Sequence, residues 1–97
     1  MLDVDTQRFE NELGRTPDGM KLRMAMHEAR IAAATIAQLY QRGTTRGRQI
    51  ESWRRAYTKA CEHASQAIDR LWNAHQWPAD GARNRLFEWR PTEPFRR

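Results

Sequence analysis

Cysteine is almost absent: Cys61 is the only one in 97 residues. A lone cysteine makes no intrachain disulfide and no cysteine-cluster metal site, so a reducing cytoplasm is the expected compartment. Long apolar runs are missing as well. None approaches the ~20 residues that cross a bilayer, and no membrane partner is expected. The first residues, Met1-Leu2-Asp3-Val4-Asp5, are acidic, which excludes a basic secretory leader running into an apolar stretch at that point. Catalytic signatures are lacking too: there is no Ser-His-acid arrangement, no phosphate-cradling glycine loop and no dinucleotide fingerprint. Nothing supplies a poised acid, base and oxyanion site together, so an enzyme is not expected. The three histidines, His27, His63 and His75, fall off the apolar pattern or at its edge. Cys61 and His63 are two apart on a helix and point to different faces, unlike the i, i+4 pair of a helical metal site. No metal or other cofactor is expected, and Cys61 reads as a buried, inert thiol.

What remains is helical. No segment alternates as a strand would, and 97 residues make one small domain. A short helix is predicted from about Asp5 to Leu13, with Leu2, Thr6, Phe9 and Leu13 at helical spacing and Gly14 at the C′ position. Thr16-Pro17-Asp18 then supplies an N-cap, a proline in the first turn and an acid at the positive end of the dipole. The second helix is predicted over about 17–42, stopped by Gly43. Leu22, Ala29 and Ile36 lie seven apart; Met26, Ala33 and Tyr40 repeat the step, as do Ala25, Ala32 and Leu39, forming one wide apolar stripe. Met24 and Ile31 are expected to widen it on one side.

Gly43-Thr44-Thr45-Arg46-Gly47 is a turn-rich break. A third helix follows over about 48–76 and ends at Trp77-Pro78. Ile50, Tyr57, Ala64 and Leu71 lie on one track, Trp53, Ala60, Ala67 and Ala74 on the next, with Cys61 and Ile68 extending them. Matching periods on both sides of a short break predict an all-α fold: an antiparallel two-helix hairpin with a short N-terminal helix and an aromatic, arginine-rich C-terminal tail. Folding about position 45 sets residue i opposite 90 − i, pairing Ala29 with Cys61, Met26 with Ala64, Leu22 with Ile68 and Ile36 with Trp53. Small residues then face small residues at mid-hairpin. Alanines remove little area, at about 0.8 kcal/mol per buried CH₂, so other elements or a second copy must cover the hairpin; a homo-oligomer is expected. The tail, 78–97, carries Leu86, Phe87, Trp89 and Phe95 among five arginines and is expected to dock.

Arginine outnumbers lysine 15 to 2, and the formal net charge is +5. That excess is local. Residues 42–59 hold Arg42, Arg46, Arg48, Arg54, Arg55 and Lys59 against Glu51 alone, a balance of +5, with Trp53 and Tyr57 among them. Arginine forks grip phosphates in two places at once, and aromatic rings stack on bases. A charge run of this kind is also what a solvated helix face looks like, and GC-rich coding raises arginine over lysine. No helix-turn-helix, zinc knuckle or basic zipper region is present, so nucleic acid is a less favoured partner, bound nonspecifically and with steep salt dependence.

One stretch resembles a family. Arg48 to Arg70, with Tyr57, Ala60, Ala64 and the run Ala67-Ile68-Asp69-Arg70, is similar to the second helix of the phage anti-CBASS cyclic-nucleotide sponges. Those proteins place an arginine just after the hairpin turn, apolar residues at heptad spacing, and an alanine-rich close in Ala-Ile-x-Arg. Arg48 and Arg70 stand at the matching spacing, Ala64 and Ala67 match small positions before the close, and Arg30 corresponds to a first-helix arginine followed by Ala32, Ile36 and Ala37. The family's aromatic before the close is His63 here, and its mid-helix acidic pair is Thr58-Lys59. The N-terminal segment and the tail have no counterpart, so the likeness covers about residues 30–70.

The resemblance implies a non-enzymatic phage protein, working in the cytoplasm of an infected or lysogenic host, that sequesters cyclic oligonucleotide second messengers between protomers of a helical-hairpin oligomer. The ligand-binding set expected here is Arg46, Arg48, Trp53, Arg54, Arg55, Tyr57 and Arg70. The alternative is a phage-type inhibitor of a host defence protein complex, such as a CRISPR effector, anchored through the aromatic and arginine tail, since Trp and Arg are favoured at such interfaces.

Overall fold

The computed structural model describes residues 4–77. Three α-helices follow one another: α1 (Val4–Asn11), α2 (Pro17–Gln41) and α3 (Arg48–His75), with a single 3₁₀ turn, Leu13–Arg15, between α1 and α2. No strand occurs among the described residues. The two long helices pack against each other as an antiparallel hairpin, and the short one lies at its open end.

Local chemistry sets the boundaries. Thr16 caps α2: its hydroxyl accepts from the Gly19 N–H at 3.1 Å and donates to the Leu13 carbonyl at 2.6 Å. Pro17 follows at the first helical position, where its missing N–H has no cost. At the far end, Gly43 adopts φ +84° while the Thr44 N–H reaches the Leu39 carbonyl and the Gly43 N–H reaches Tyr40. That pair of bonds closes a helix through a left-handed residue, the conformation glycine takes without steric cost. The third helix starts after Gly47, which has no side chain to cap it, and ends on Gln76 in the left-handed region, whose N–H bonds the Trp72 carbonyl. Trp77 then turns back onto the start of the chain, its ring centroid 5.1 Å from that of Phe9.

The core divides into two clusters along the hairpin. At the open end Phe9, Leu13, Leu22, Ala25 and Met26 pack with Ala64, Ala67, Ile68, Leu71 and Trp77. Toward the turn, Ala29, Ala32, Ala33, Ile36 and Leu39 pack with Ile50, Tyr57, Ala60 and Cys61, and Tyr40 and Trp53 lean against them. The pairs expected from the heptads fall in common clusters: Leu22 with Ile68, Met26 with Ala64, Ala29 with Cys61, and Ile36 with Trp53 leaning against its cluster.

Three expectations are corrected. Met24 and Ile31 do not widen the stripe; they are 64% and 46% exposed. At ~100° per residue they fall on the outer half of α2, away from the line through Ala29 and Ile36. Ala74 is exposed as well, because the register sets it opposite residue 16, where α2 has not yet begun. Finally, α1 stops at Asn11, and Gly14 sits buried inside the 3₁₀ turn rather than closing a helix. The reason is the close approach of that turn to α2: a Cβ on Gly19 would collide with the Leu13 carbonyl. Arg23 covers the same turn, its guanidinium 5.0 Å from the Phe9 ring centre and 2.8 Å from the Glu10 carboxylate.

Gly19→Ala is therefore expected to destabilise the fold by about 1–3 kcal/mol, the range for overpacking, although alanine is the better helix former. Thermal unfolding followed by circular dichroism checks it; an unchanged or higher melting temperature would show that the turn yields freely.

Candidate anion-binding site

The turn and the first turns of α3 form a cationic tip. Arg42, Arg46, Arg48, Arg55 and Lys59 are exposed, and Arg54 is half-buried. Among the described residues no carboxylate pairs with those five exposed cations; the ion pairs are Arg8–Glu12, Arg23–Glu10 and Arg54–Glu51. The N-terminus of α3 adds its partial positive charge at the same place, since Gly47 offers the first N–H groups no side-chain acceptor.

The seven residues expected to bind ligand separate into three groups. Arg46, Arg48 and Arg55 are solvent-exposed at the tip, as a binding role requires. Arg54 and Trp53 are tied into the fold. The Arg54 guanidinium donates to the Tyr40 hydroxyl, lies 5.8 Å from the centre of that ring and approaches Glu51 at 3.5 Å, bracing α3 against α2. Trp53 packs on the core cluster beside the turn and keeps part of its ring open. Tyr57 and Arg70 are displaced from the tip. Tyr57 is 1% exposed within the core, so its ring is not available for stacking on a ligand in this hairpin. Its heptad track, shared with Ile50, Ala64 and Leu71, already pointed inward. Arg70 is exposed but lies 22 residues beyond Arg48 on the same helix, which at 1.5 Å per residue is ~33 Å away.

A surface that the expected set leaves out continues from the tip down α3. A shallow hollow of about 450 Å³ runs along the outer face of α3, lined by Glu51, Arg54, Arg55, Thr58, Lys59, Glu62, His63 and Gln66. Arg55, Lys59, Glu62 and Gln66 follow i, i+4, i+7 and i+11, a polar stripe opposite the apolar one. The same periodicity that marks the core would have found it.

Among the described residues no three His, Cys, Asp or Glu side chains converge on one point. Cys61 is buried beside alanines, and His27 and His63 are exposed. No helix among the described residues is long and apolar enough to cross a membrane. The tail 78–97, with its expected docking, lies outside the described residues. The tip is thus an open cationic surface with hydrogen-bonding neighbours, suited to holding an anion.

Comparison with family models, with curated proteins and with solved structures finds no match to this chain.

The different placements of Tyr57 and Arg55 have a direct consequence. Tyr57→Ala is expected to cost about 3–5 kcal/mol, the range for deleting a buried aromatic ring. Arg55→Ala should stay within about 0.5 kcal/mol, as exposed substitutions do. Urea unfolding of both variants tests the assignment, and a mild Tyr57→Ala would return that ring to the candidate site.

Proposed function

We propose that this is a non-enzymatic binding protein that captures small phosphate-bearing anions at the hairpin tip, and that the ligands are cyclic oligonucleotides held out of reach of a host effector. The observation that carries the reading is the set of exposed cations, Arg42, Arg46, Arg48, Arg55 and Lys59, none paired with a carboxylate among the described residues. Unpaired arginines keep both edges of the guanidinium free for bidentate phosphate contacts. Trp53, partly open beside them, offers a face for a base. The likeness of residues 48–70 to the phage cyclic-nucleotide sponges supports the ligand class. That class also suits the open shape: a cyclic oligonucleotide carries two or more phosphates and can engage arginines on two tips at once. Arg70, ~33 Å down the helix, lies too far from Arg48 to share a ligand held between two tips.

Calorimetry and thermal melts with a panel of cyclic di- and trinucleotides test the proposal. A ligand at 100 times its Kd stabilises by about 2.7 kcal/mol, which for a domain of this size raises Tm by about 10 °C or more. Arg46→Glu with Arg48→Glu should abolish both the heat and the shift while leaving the ligand-free melt unchanged. A panel that gives neither heat nor shift overturns the reading. Equal binding of a linear oligonucleotide of the same length, with steep salt dependence, would replace it with nonspecific nucleic-acid binding.

A further inference from the structure

A second surface lies on one flank of the hairpin, in the groove between α2 and α3, running from Trp53 toward the open end. Two adjoining hollows, of about 420 and 280 Å³, meet at Glu28 and His63. The first is walled by Ile31, Trp53 and Ala56, and the second by Met24 and Ala25. Together they extend from Trp53 to Arg70, 17 residues of α3, or ~25 Å at 1.5 Å per residue. Met24 and Ile31 are large apolar side chains left exposed along this groove.

Charge around the groove is one-sided. Lys21, Lys59 and Arg70 stand at its rim with His63, and Glu28 is the single carboxylate lining it. None of those three cations is ion-paired among the described residues. Lys59, His63 and Arg70 follow i, i+4 and i+11, so the cations run in a line beside the apolar walls rather than as a cluster. Alanines 25, 56 and 60 line the groove, and small residues there let a third helix approach to the usual 8–10 Å axis separation.

We propose that this groove docks an acidic amphipathic helix of a partner protein. The occupant has a length of about 17 residues to match the groove, apolar residues at i, i+3, i+4 and i+7 to meet Met24, Ile31 and Trp53, and carboxylates on its flanks to meet Lys21, Lys59 and Arg70. A second copy of this chain fits less well, because its own groove rim has the same positive sign. The groove shares Lys59 and Trp53 with the tip, so the variants that test it are placed at residues the two surfaces do not share.

The probe is a synthetic 18-residue helical peptide with leucines on one face and glutamates on both flanks, titrated into the full chain by calorimetry with tryptophan emission followed in parallel. One-to-one binding with a blue shift is expected. Lys21→Glu with Arg70→Glu should weaken it at least tenfold, whereas Arg46→Glu with Arg48→Glu, at the tip, should leave it unchanged. Circular dichroism confirms that each variant keeps its helix content. Three results overturn the proposal: no binding, equal binding by a peptide carrying lysine in place of glutamate, or equal binding by the Lys21/Arg70 variant. So does sedimentation showing a dimer that Met24→Glu with Ile31→Glu converts to a monomer, which would assign the groove to a second copy.

Discussion

The close approach of two long helices along a seam of alanines is the constraint on which the rest of this molecule depends. Ala25, Ala29, Ala32 and Ala33 on α2 meet Ala60, Cys61, Ala64 and Ala67 on α3, all of them buried. Such a seam permits backbone contact that larger residues would prevent, and it gains dispersion contacts along its whole length. It also buries little apolar area per residue, at roughly 25 cal/mol for each Å² removed from water. The hairpin is therefore fastened at its ends rather than in its middle. Phe9, Leu13 and Trp77 close the open end, where α1 and the 3₁₀ turn fold over α2. Near the turn, Ile36, Leu39, Ile50 and Tyr57 supply bulk, and the Arg54–Tyr40 contact ties the two helices side by side.

That division explains why the two ends differ in chemistry. The open end uses its charges internally: Arg23 lies over Phe9 and pairs with Glu10, and Arg8 pairs with Glu12. The turn end leaves five cations facing solvent and commits one arginine to structure. Exposed cations at this density repel one another, though water and salt hold the cost low at separations near a Debye length of ~10 Å. Helix α3 adds to the field, because its N-terminus carries the positive half of the dipole into the same region.

The architecture was legible in the sequence to a high degree, and the reason is periodicity. Seven-residue spacing through Leu22, Ala29 and Ile36, and again through Ile50, Tyr57, Ala64 and Leu71, reports which side chains face inward whatever the details of packing. The Thr16-Pro17 start and the Gly43 stop are chemical signals with one local solution each. What periodicity could not supply was the third dimension at the open end. Gly14 looked like a helix stop, but its burial depends on Gly19 and Arg23 arriving from another element. Met24 and Ile31 looked like core because they are apolar, and their exposure follows from an angle around α2 that a list of hydrophobic residues does not contain. Within the candidate site the outcome tracks the same rule. Arg46, Arg48 and Arg55 were placed by sequence position alone, whereas Tyr57 was grouped with its neighbours in the chain although its heptad track had already sent it inward.

The open form of the tip sets a condition on any tight anion binding there. A phosphate on a single exposed arginine remains in high dielectric, where an ion pair contributes about 0–1 kcal/mol. Micromolar affinity requires about −8 kcal/mol, so several arginines must act on one ligand, with water largely excluded between them. A lone hairpin end does not enclose a ligand: Arg42, Arg46, Arg48, Arg55 and Lys59 are all exposed to solvent. Arg54, the cation best shielded from water, is already committed to Tyr40 and Glu51. Enclosure must therefore come from outside this hairpin. For the proposed function, a second hairpin would supply it most economically, by bringing another set of arginines opposite the first, with the ligand offsetting the repulsion between the two tips. Assembly and anion capture at the tip would then be a single equilibrium, with the affinity for ligand and the tendency to pair rising and falling together.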